Sequence, residues 1–300
     1  MKLGFLELRP DERRLYLEQA ATRRNVSAVV LEKDFWVCWI LGVLFGSEFA
    51  GAIVFKGGTS LSKVFGVIDR FSEDIDLSLS PAFLELPEAG ARDGGWIEFL
   101  TDPGTNSPVL LFHYPSTQPA GFAYLERSVK LEFGSLTDQQ PVGRHAVRPW
   151  VAETLPTAFP DWRCEVVALE VERSFWEKAT ILHAECHRPA EKPMPDRFSR
   201  HFADTAALAR HPDARRAIDE QELRRRVVAW KGQFFGSAWA RYDLAKPGTF
   251  RLVPPVERLP ALRRDYQAMR DMYLSEPTAF DEVLDVLTEL EQRINESVEG

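Results

Sequence analysis

Cysteine is scarce. Cys38, Cys164 and Cys186 stand alone among 300 residues. An odd number at such long spacings excludes a disulfide framework and fits a reducing compartment. Long hydrophobic runs are lacking too. The longest uncharged apolar stretch, Phe35 to Phe45, falls well short of the roughly 20 residues that cross a bilayer. The N-terminus reaches Glu7 and Arg9 too early for a signal peptide. No internal repeat and no low-complexity tract is visible. The expectation is a cytoplasmic protein without a membrane anchor. What is present is ordinary for a globular chain: 45% hydrophobic and 27% charged residues. The length suffices for one large domain or two of usual size, with a core that needs no structural metal.

The net charge of -8 disfavours nonspecific nucleic-acid binding by the molecule as a whole. The charge is uneven, however. From Arg197 to Lys231 there are nine Lys/Arg against five Asp/Glu, whereas from Asp281 onward there are seven acids and one arginine. The first stretch has the composition of a local basic surface, or of a solvated helix face.

Periodicity predicts helices over 11–24 and 27–45, the second capped by Ser27. Residues 52–56 (AIVFK) form a strand running into Gly57-Gly58, and Thr59 to Phe65 a short helix. Residues 74–79 (DIDLSL) alternate as a strand. The Gly-, Pro- and Asp-rich stretch from Pro81 to Pro108 reads as loop, with further strands at 109–113, 127–133 and 164–171. Helical period then takes over at 175–187, 198–210, 219–230, 260–274 and 279–296. The fold class is therefore α+β: a mixed-sheet N-terminal domain (1–165) followed by a helical domain (166–300).

Chemistry concentrates in two neighbouring segments. In IVFKGGTSL a strand meets two glycines and then a helix. Glycine permits a sharp turn and a close backbone approach, and a helix N-terminus offers free N–H groups to phosphate. Thr59 and Ser60 are candidate hydroxyl donors. Alone, such a pair marks a tight turn as readily as a cradle. In RFSEDIDLSL the strand period projects Asp74 and Asp76 to one face, opposite Ile75 and Leu77. Adjacent carboxylates repel unless a cation lies between them, and hard oxygen ligands suit Mg²⁺. The alternative is a pair of solvated acids; the glycine turn upstream tips the balance. In SVKLEFG, Lys130 and Glu132 alternate against Val129, Leu131 and Phe133. Glu132 is a candidate third carboxylate, completing the site or activating a hydroxyl. A surface acid paired with Lys130 fits nearly as well.

Four further segments carry candidate residues. Ser174 and Glu177 have capping-box spacing, which places Lys178 in a first helical turn beside an apolar stripe. Its amine reaches either an anion such as triphosphate, or water at the surface. Asp204 lies four residues after Arg200, where an ordinary ion pair accounts for it. His183, Cys186 and His187 in HAECH lack the second cluster of a zinc site. In KGQFFGSAWARY (231–242) basic and aromatic residues mix as on a nucleic-acid surface, although packing between helices is the simpler reading.

The order of these motifs resembles the AbiEii/AbiGii-type nucleotidyltransferase toxins of bacteria, within the polymerase-β-like nucleotidyltransferase superfamily. The matching segments are LEKDFWVCWIL (31–41), VFKGGTSLSKVFGVIDRFSEDIDLSLS (54–80), SVKLEFG (128–134), ERSFWEKATILH (172–183) and RHFADTAAL (200–208), with LRRDYQAMRDMY and FDEVLDVLTELEQRIN near the end. The segment 54–80 is the most specific. Two features depart from the pattern. Fifteen residues separate Gly58 from Asp74, longer than the superfamily's usual interval, and 81–108 is short where additional helix is expected.

The resemblance implies a polymerase-β-like domain with a helical domain contributing Lys178 and Asp204 to the cleft. It implies Asp74, Asp76 and Glu132 as ligands of Mg²⁺ or Mn²⁺, with Lys178 joining them in catalysis. Lys56, Gly57, Gly58, Thr59, Ser60, Lys63, Arg70, Ser72, Lys130 and Asp204 become nucleotide-binding candidates. The implied substrate is a nucleoside triphosphate. The implied acceptor is RNA, tRNA foremost, gripped by arginines of 197–226. The implied partner is an antitoxin encoded by a neighbouring gene, in a two-gene phage-defence system. Two other readings stay open: a non-catalytic module that binds RNA or protein, and a transferase acting on a protein or small molecule.

Overall fold

A computed structural model describes residues 4–79, 96–102, 107–119, 126–134, 138, 140–160 and 162–297. The chain forms two compact units. The first comprises Met1–Val64 and Phe71–Ala168; the second comprises Leu169–Gly300 together with the short segment Phe65–Arg70.

The first unit opens with helices α1 (Gly4–Glu7), α2 (Pro10–Arg24) and α3 (Ala28–Phe45). Strand β1 (Ile53–Lys56) runs directly into α4 (Gly57–Lys63). Strands β2 (Asp74–Leu79), β3 (Ile97–Thr101), β4 (Pro108–His113), β5 (Ser128–Gly134) and β6 (Val142–Val147) follow, then α5 (Trp150–Thr154) and β7 (Cys164–Leu169). The seven strands make one mixed sheet in the order β3-β4-β5-β2-β1-β7-β6. β2 lies at its centre, antiparallel to β1 and parallel to β5. The alternation of β2 is reflected in burial: Ile75 and Leu77 are fully buried, while Asp74 and Asp76 are half-buried.

Helix α3 is apolar around most of its circumference, as a helix enclosed by other elements should be. Leu31, Phe35, Val37, Cys38 and Leu41 are each at most 1% exposed. Its Ser27 caps it as expected, the hydroxyl accepting from the Val29 N–H at 3.2 Å. Within this apolar helix Glu32, Lys33 and Asp34 are also buried, and each has a partner. Glu32 accepts from the Thr117 N–H and hydroxyl, both at 2.6 Å, and from Ser116. Lys33 donates to Glu73 at 2.5 Å and to the Glu126 carbonyl. Asp34 accepts from the Trp150 N–H at 2.6 Å.

The second unit is helical: α6 (Val171–Cys186), α7 (Ser199–Arg210), α8 (Pro212–Ala217), α9 (Gln221–Phe234), α10 (Leu259–Ala268) and α11 (Phe280–Glu296). α6 is its axis, packed against α7, α8 and α9. Trp176 is fully buried on it and donates its indole N–H to the Ala217 carbonyl at 2.9 Å. α11 lays Phe280, Val283, Leu287, Leu290 and Ile294 inward at the three–four spacing of an amphipathic helix.

Four local expectations are corrected. β3 occupies part of the stretch read as loop. Its β-favouring residues Ile97, Phe99 and Thr101 outweigh the Gly and Pro around them, while 81–95 and 103–106 lie outside the described residues. α6 begins a turn earlier than the Ser174–Glu177 box implies. Val171 follows β7 directly, and Glu177 pairs with Arg173 at 3.0 Å instead of capping, so Lys178 is not in the first turn. Asp204 is buried rather than paired with Arg200 at the surface. Residues 232–238 are all exposed, not packed between helices.

Candidate functional site

The site begins where β1 ends. Gly57 has φ +79°, and a Cβ placed there would stand 1.8 Å from Asp76 Oδ2. Only glycine allows both that backbone conformation and the carboxylate lying against it. Lys56 is the cross-strand partner of Asp76, while on the other side of β2 Asp74 aligns with Lys130 and Asp76 with Glu132. Register partners project to the same side of a sheet. One face therefore carries three carboxylates and two amines, and Ile75, Leu77, Val129 and Leu131 are buried on the other.

The charges on this face are not balanced locally. Burial raises the Asp74 carboxyl above its ordinary range, and the neighbouring Glu73 and Glu132 raise it further against Lys130 and Lys33. Lys130 donates to Glu132. Burial works against its ammonium, but Glu132 and Asp74 outweigh this and raise its pKa. Among the described residues no three acidic, histidine or cysteine side chains close up into a metal cluster. Glu132, turned to Lys130, does not join Asp74 and Asp76 in one. Mg²⁺ is commonly held by only one or two carboxylates, with water and substrate phosphate completing its shell. The aspartate pair, with its raised carboxyl and excess of acid neighbours, fits that requirement.

Of the remaining candidates of this unit, Thr59 and Lys63 have structural partners. The Thr59 hydroxyl donates to the Asp74 carbonyl, tying α4 to β2. Ser60 is fully buried. The Lys63 amine lies 2.7 Å from Asp34 and 4.5 Å from the centroid of the Trp150 ring, in the interior. Burial lowers its pKa, but Asp34, Cys38 and Glu153 together raise it above the ordinary value. Gly58 is the second residue of α4, and Ser72 is half-buried just ahead of β2. Glu32, Lys33 and Asp34 are functional-site neighbours that local sequence period does not single out. Their signal is three consecutive charges inside an otherwise apolar helix, because a buried charge is tolerated only when paired.

The second unit contains its own cluster. Arg70 is 2% exposed and Asp204 1%. The guanidinium makes a two-pronged contact, Nε to Oδ1 at 2.9 Å and Nη2 to Oδ2 at 2.7 Å. Lys178 donates to the same Oδ2 at 2.8 Å and lies 3.3 Å from His201 Nδ1. Burial works to raise the Asp204 carboxyl, but Arg70 and Lys178 together hold it well below the usual carboxylate range. Burial lowers the Lys178 ammonium; Asp204 opposes that and Arg70 adds to it. Burial, helped by Lys178 and Arg200, keeps His201 neutral. Lys178 therefore does not extend its amine outward to water: its amine and the Arg70 guanidinium converge on one carboxylate. The HAECH histidines have backbone partners. His183 donates to the Arg241 carbonyl at 2.9 Å and accepts from the Arg251 N–H at 3.1 Å, and burial lowers its pKa to about 4.

The mixed sheet sets two aspartates on one face, against a left-handed glycine turn, an arrangement that suits metal-assisted phosphoryl transfer. The family model described as nucleotidyl transferase AbiEii toxin, type IV toxin–antitoxin system, matches residues 39–286, and the chain belongs to this family. Among solved structures it is similar to MenT4, a nucleotidyltransferase toxin from Mycobacterium tuberculosis H37Rv. The TM-score is 0.55 at 19% identity, covering 94% of this chain and 89% of that one. At that identity the likeness shows a shared fold. No curated protein matches the sequence. The described residues include no helix long and apolar enough to cross a membrane.

Proposed function

We propose that the chain transfers a nucleoside monophosphate from a nucleoside triphosphate to an RNA acceptor, a tRNA foremost, and requires Mg²⁺ or Mn²⁺. The acceptor hydroxyl attacks the α-phosphorus, a new P–O bond forms, and pyrophosphate leaves with the electron pair of the broken bond. The observation that carries this reading is the shared face of Asp74 and Asp76, with the Asp76 carboxylate lying against Gly57. Asp74 and Asp76 would hold the divalent ion, which supplies charge stabilisation on the transferring and leaving oxygens. Glu132 takes the acceptor proton, its carboxylate oriented by Lys130. The turn at Gly57-Gly58 and the ammonium of Lys56 receive phosphate oxygens. Thr59, Lys63 and Asp204 serve by positioning, since their side chains are engaged with the protein.

The test is transfer of label from an α-labelled nucleoside triphosphate to total RNA, total protein and small-molecule pools. Label is expected in RNA, and Asp74→Ala or Asp76→Ala is expected to abolish it while circular dichroism stays native. Full activity in either variant would sink the mechanism. Label in protein or a small molecule would overturn the acceptor. Calorimetry showing no metal-dependent nucleotide binding would favour a module without catalysis.

A further inference from the structure

Helix α9 ends in an aromatic cluster open to solvent. Residues 232–238 are all exposed, and Phe234 and Phe235 are 39% and 46% exposed. The Trp230 ring lies 5.8 Å from Phe234 and 5.0 Å from Phe235, both tilted. The Lys231 ammonium stands 4.9 Å from the Phe235 centroid and 5.5 Å from that of Trp230. One turn upstream Arg225 and Arg226 are exposed, and Arg226, Trp230 and Phe234 follow one another at a spacing of four along the helix. The opposite face is the buried one, with Leu223, Arg224, Val227 and Lys231 inside.

Charge identifies the occupant. α9 carries four cations (Arg224, Arg225, Arg226 and Lys231) and one acid, Glu222, in a chain whose net charge is -8. Arg225 lies 3.3 Å from Glu222, and Arg224 is buried, donating to the Ala245 carbonyl at 3.0 Å. α11, by contrast, carries six acids and one arginine. A protein surface docking on α9 would have to desolvate cations around the rings. A polyanion with flat aromatic faces is matched by both features: bases stack on rings, and phosphates meet the exposed Arg225 and Arg226. Every base has such a face, so the preference is for an unpaired strand over a particular sequence.

We propose that Trp230, Phe234 and Phe235, with the exposed Arg225 and Arg226, form a stacking platform for the single-stranded part of an RNA acceptor. The proposal deepens the reading of an RNA acceptor and rests on it. Fluorescence anisotropy of a short labelled single-stranded RNA with the full chain tests it. Phe234→Ala/Phe235→Ala is expected to weaken binding on the order of tenfold to a hundredfold, the effect of losing base–aromatic stacking. Phe234→Tyr/Phe235→Tyr, which keeps the rings, is expected to bind like the wild type. Arg225→Gln/Arg226→Gln is expected to reduce the slope of log K against log salt by about one to two. Calorimetry of Mg²⁺ and nucleoside triphosphate is expected to be unchanged in the double alanine variant.

Equal RNA affinity of wild type and the double alanine variant would overturn the platform. So would an altered sedimentation coefficient of that variant at unchanged RNA affinity, which would make this a protein-docking face. Asp74→Ala is expected to bind RNA like the wild type, so loss of transfer and loss of RNA binding are read separately. Loss of RNA binding in Asp74→Ala would place the acceptor elsewhere and overturn the proposal.

Discussion

Gly57 leaves no room for a side chain. A methyl group would collide with the Asp76 carboxylate, and φ +79° adds a conformational cost for any L-residue. Gly57→Ala should therefore displace Asp76, costing about 1–3 kcal/mol of stability and on the order of a hundredfold in label transfer, since small misplacements near reacting groups have such effects. Urea melts and the transfer assay check both numbers; a variant with native stability and rate would show that the approach of Asp76 to this turn is unimportant. Asp204 poses the opposite problem. Asp204→Asn leaves Arg70 and Lys178 buried without their counter-charge, and a loss of about 3–5 kcal/mol follows. The sign of its pH dependence is fixed by the depressed carboxyl. In the wild type the contribution is present above the ordinary aspartate range and is lost as pH falls through the lower folded value. Acid titration of the urea midpoint should show this component in the wild type and not in Asp204→Asn. A parallel pH profile in the two proteins would remove the clamp as its cause.

At the scale of elements, α4 is held at both ends. Thr59 ties its first turn to the Asp74 carbonyl, and Lys63 ties its last to Asp34 on α3. Removing one member of the buried Lys63–Asp34 pair strands the other. Lys63→Met and Asp34→Asn alone should each cost about 3–5 kcal/mol, and the double variant clearly less than their sum. Denaturant midpoints of the four proteins give the coupling; strict additivity would mean that the pair is not acting as one. The long elements were legible in the sequence because their periods are long: α2, α3, α7 and α11 differ from the predicted spans by a residue or two at most. β2 was legible from two aspartates alternating with Ile75 and Leu77. β6 was not, because Gly143, Arg144 and His145 break its apolar alternation. The start of α6 was misplaced because a capping-box spacing is short enough to arise by chance. The acid face itself was readable from strand parity. The engagement of Lys63 by Asp34 was not, since nothing local distinguishes a buried lysine from a phosphate ligand.

For the molecule as a whole, the division into units does not follow a single point in the chain. The partner of Asp204 lies 134 residues away, on the segment Phe65–Arg70, a separation that no local pattern reveals. A fragment beginning at Leu169 has Lys178 and Asp204 but no Arg70. It should be less stable than the same elements in the full chain, with the faster hydrogen exchange concentrated in α6 and α7. Exchange rates equal to those of the intact protein would show that the helical unit does not depend on the segment.

The fifteen residues between Gly58 and Asp74 are partly accounted for by this excursion: the chain leaves the sheet unit after Val64, supplies Arg70 to the helical unit, and returns at Phe71. Chimeras built between relatives inherit the consequence. A single crossover near residue 168 would join one parent's arginine to the other parent's aspartate, so a faithful exchange of the helical unit must transplant the hexapeptide 65–70 along with it.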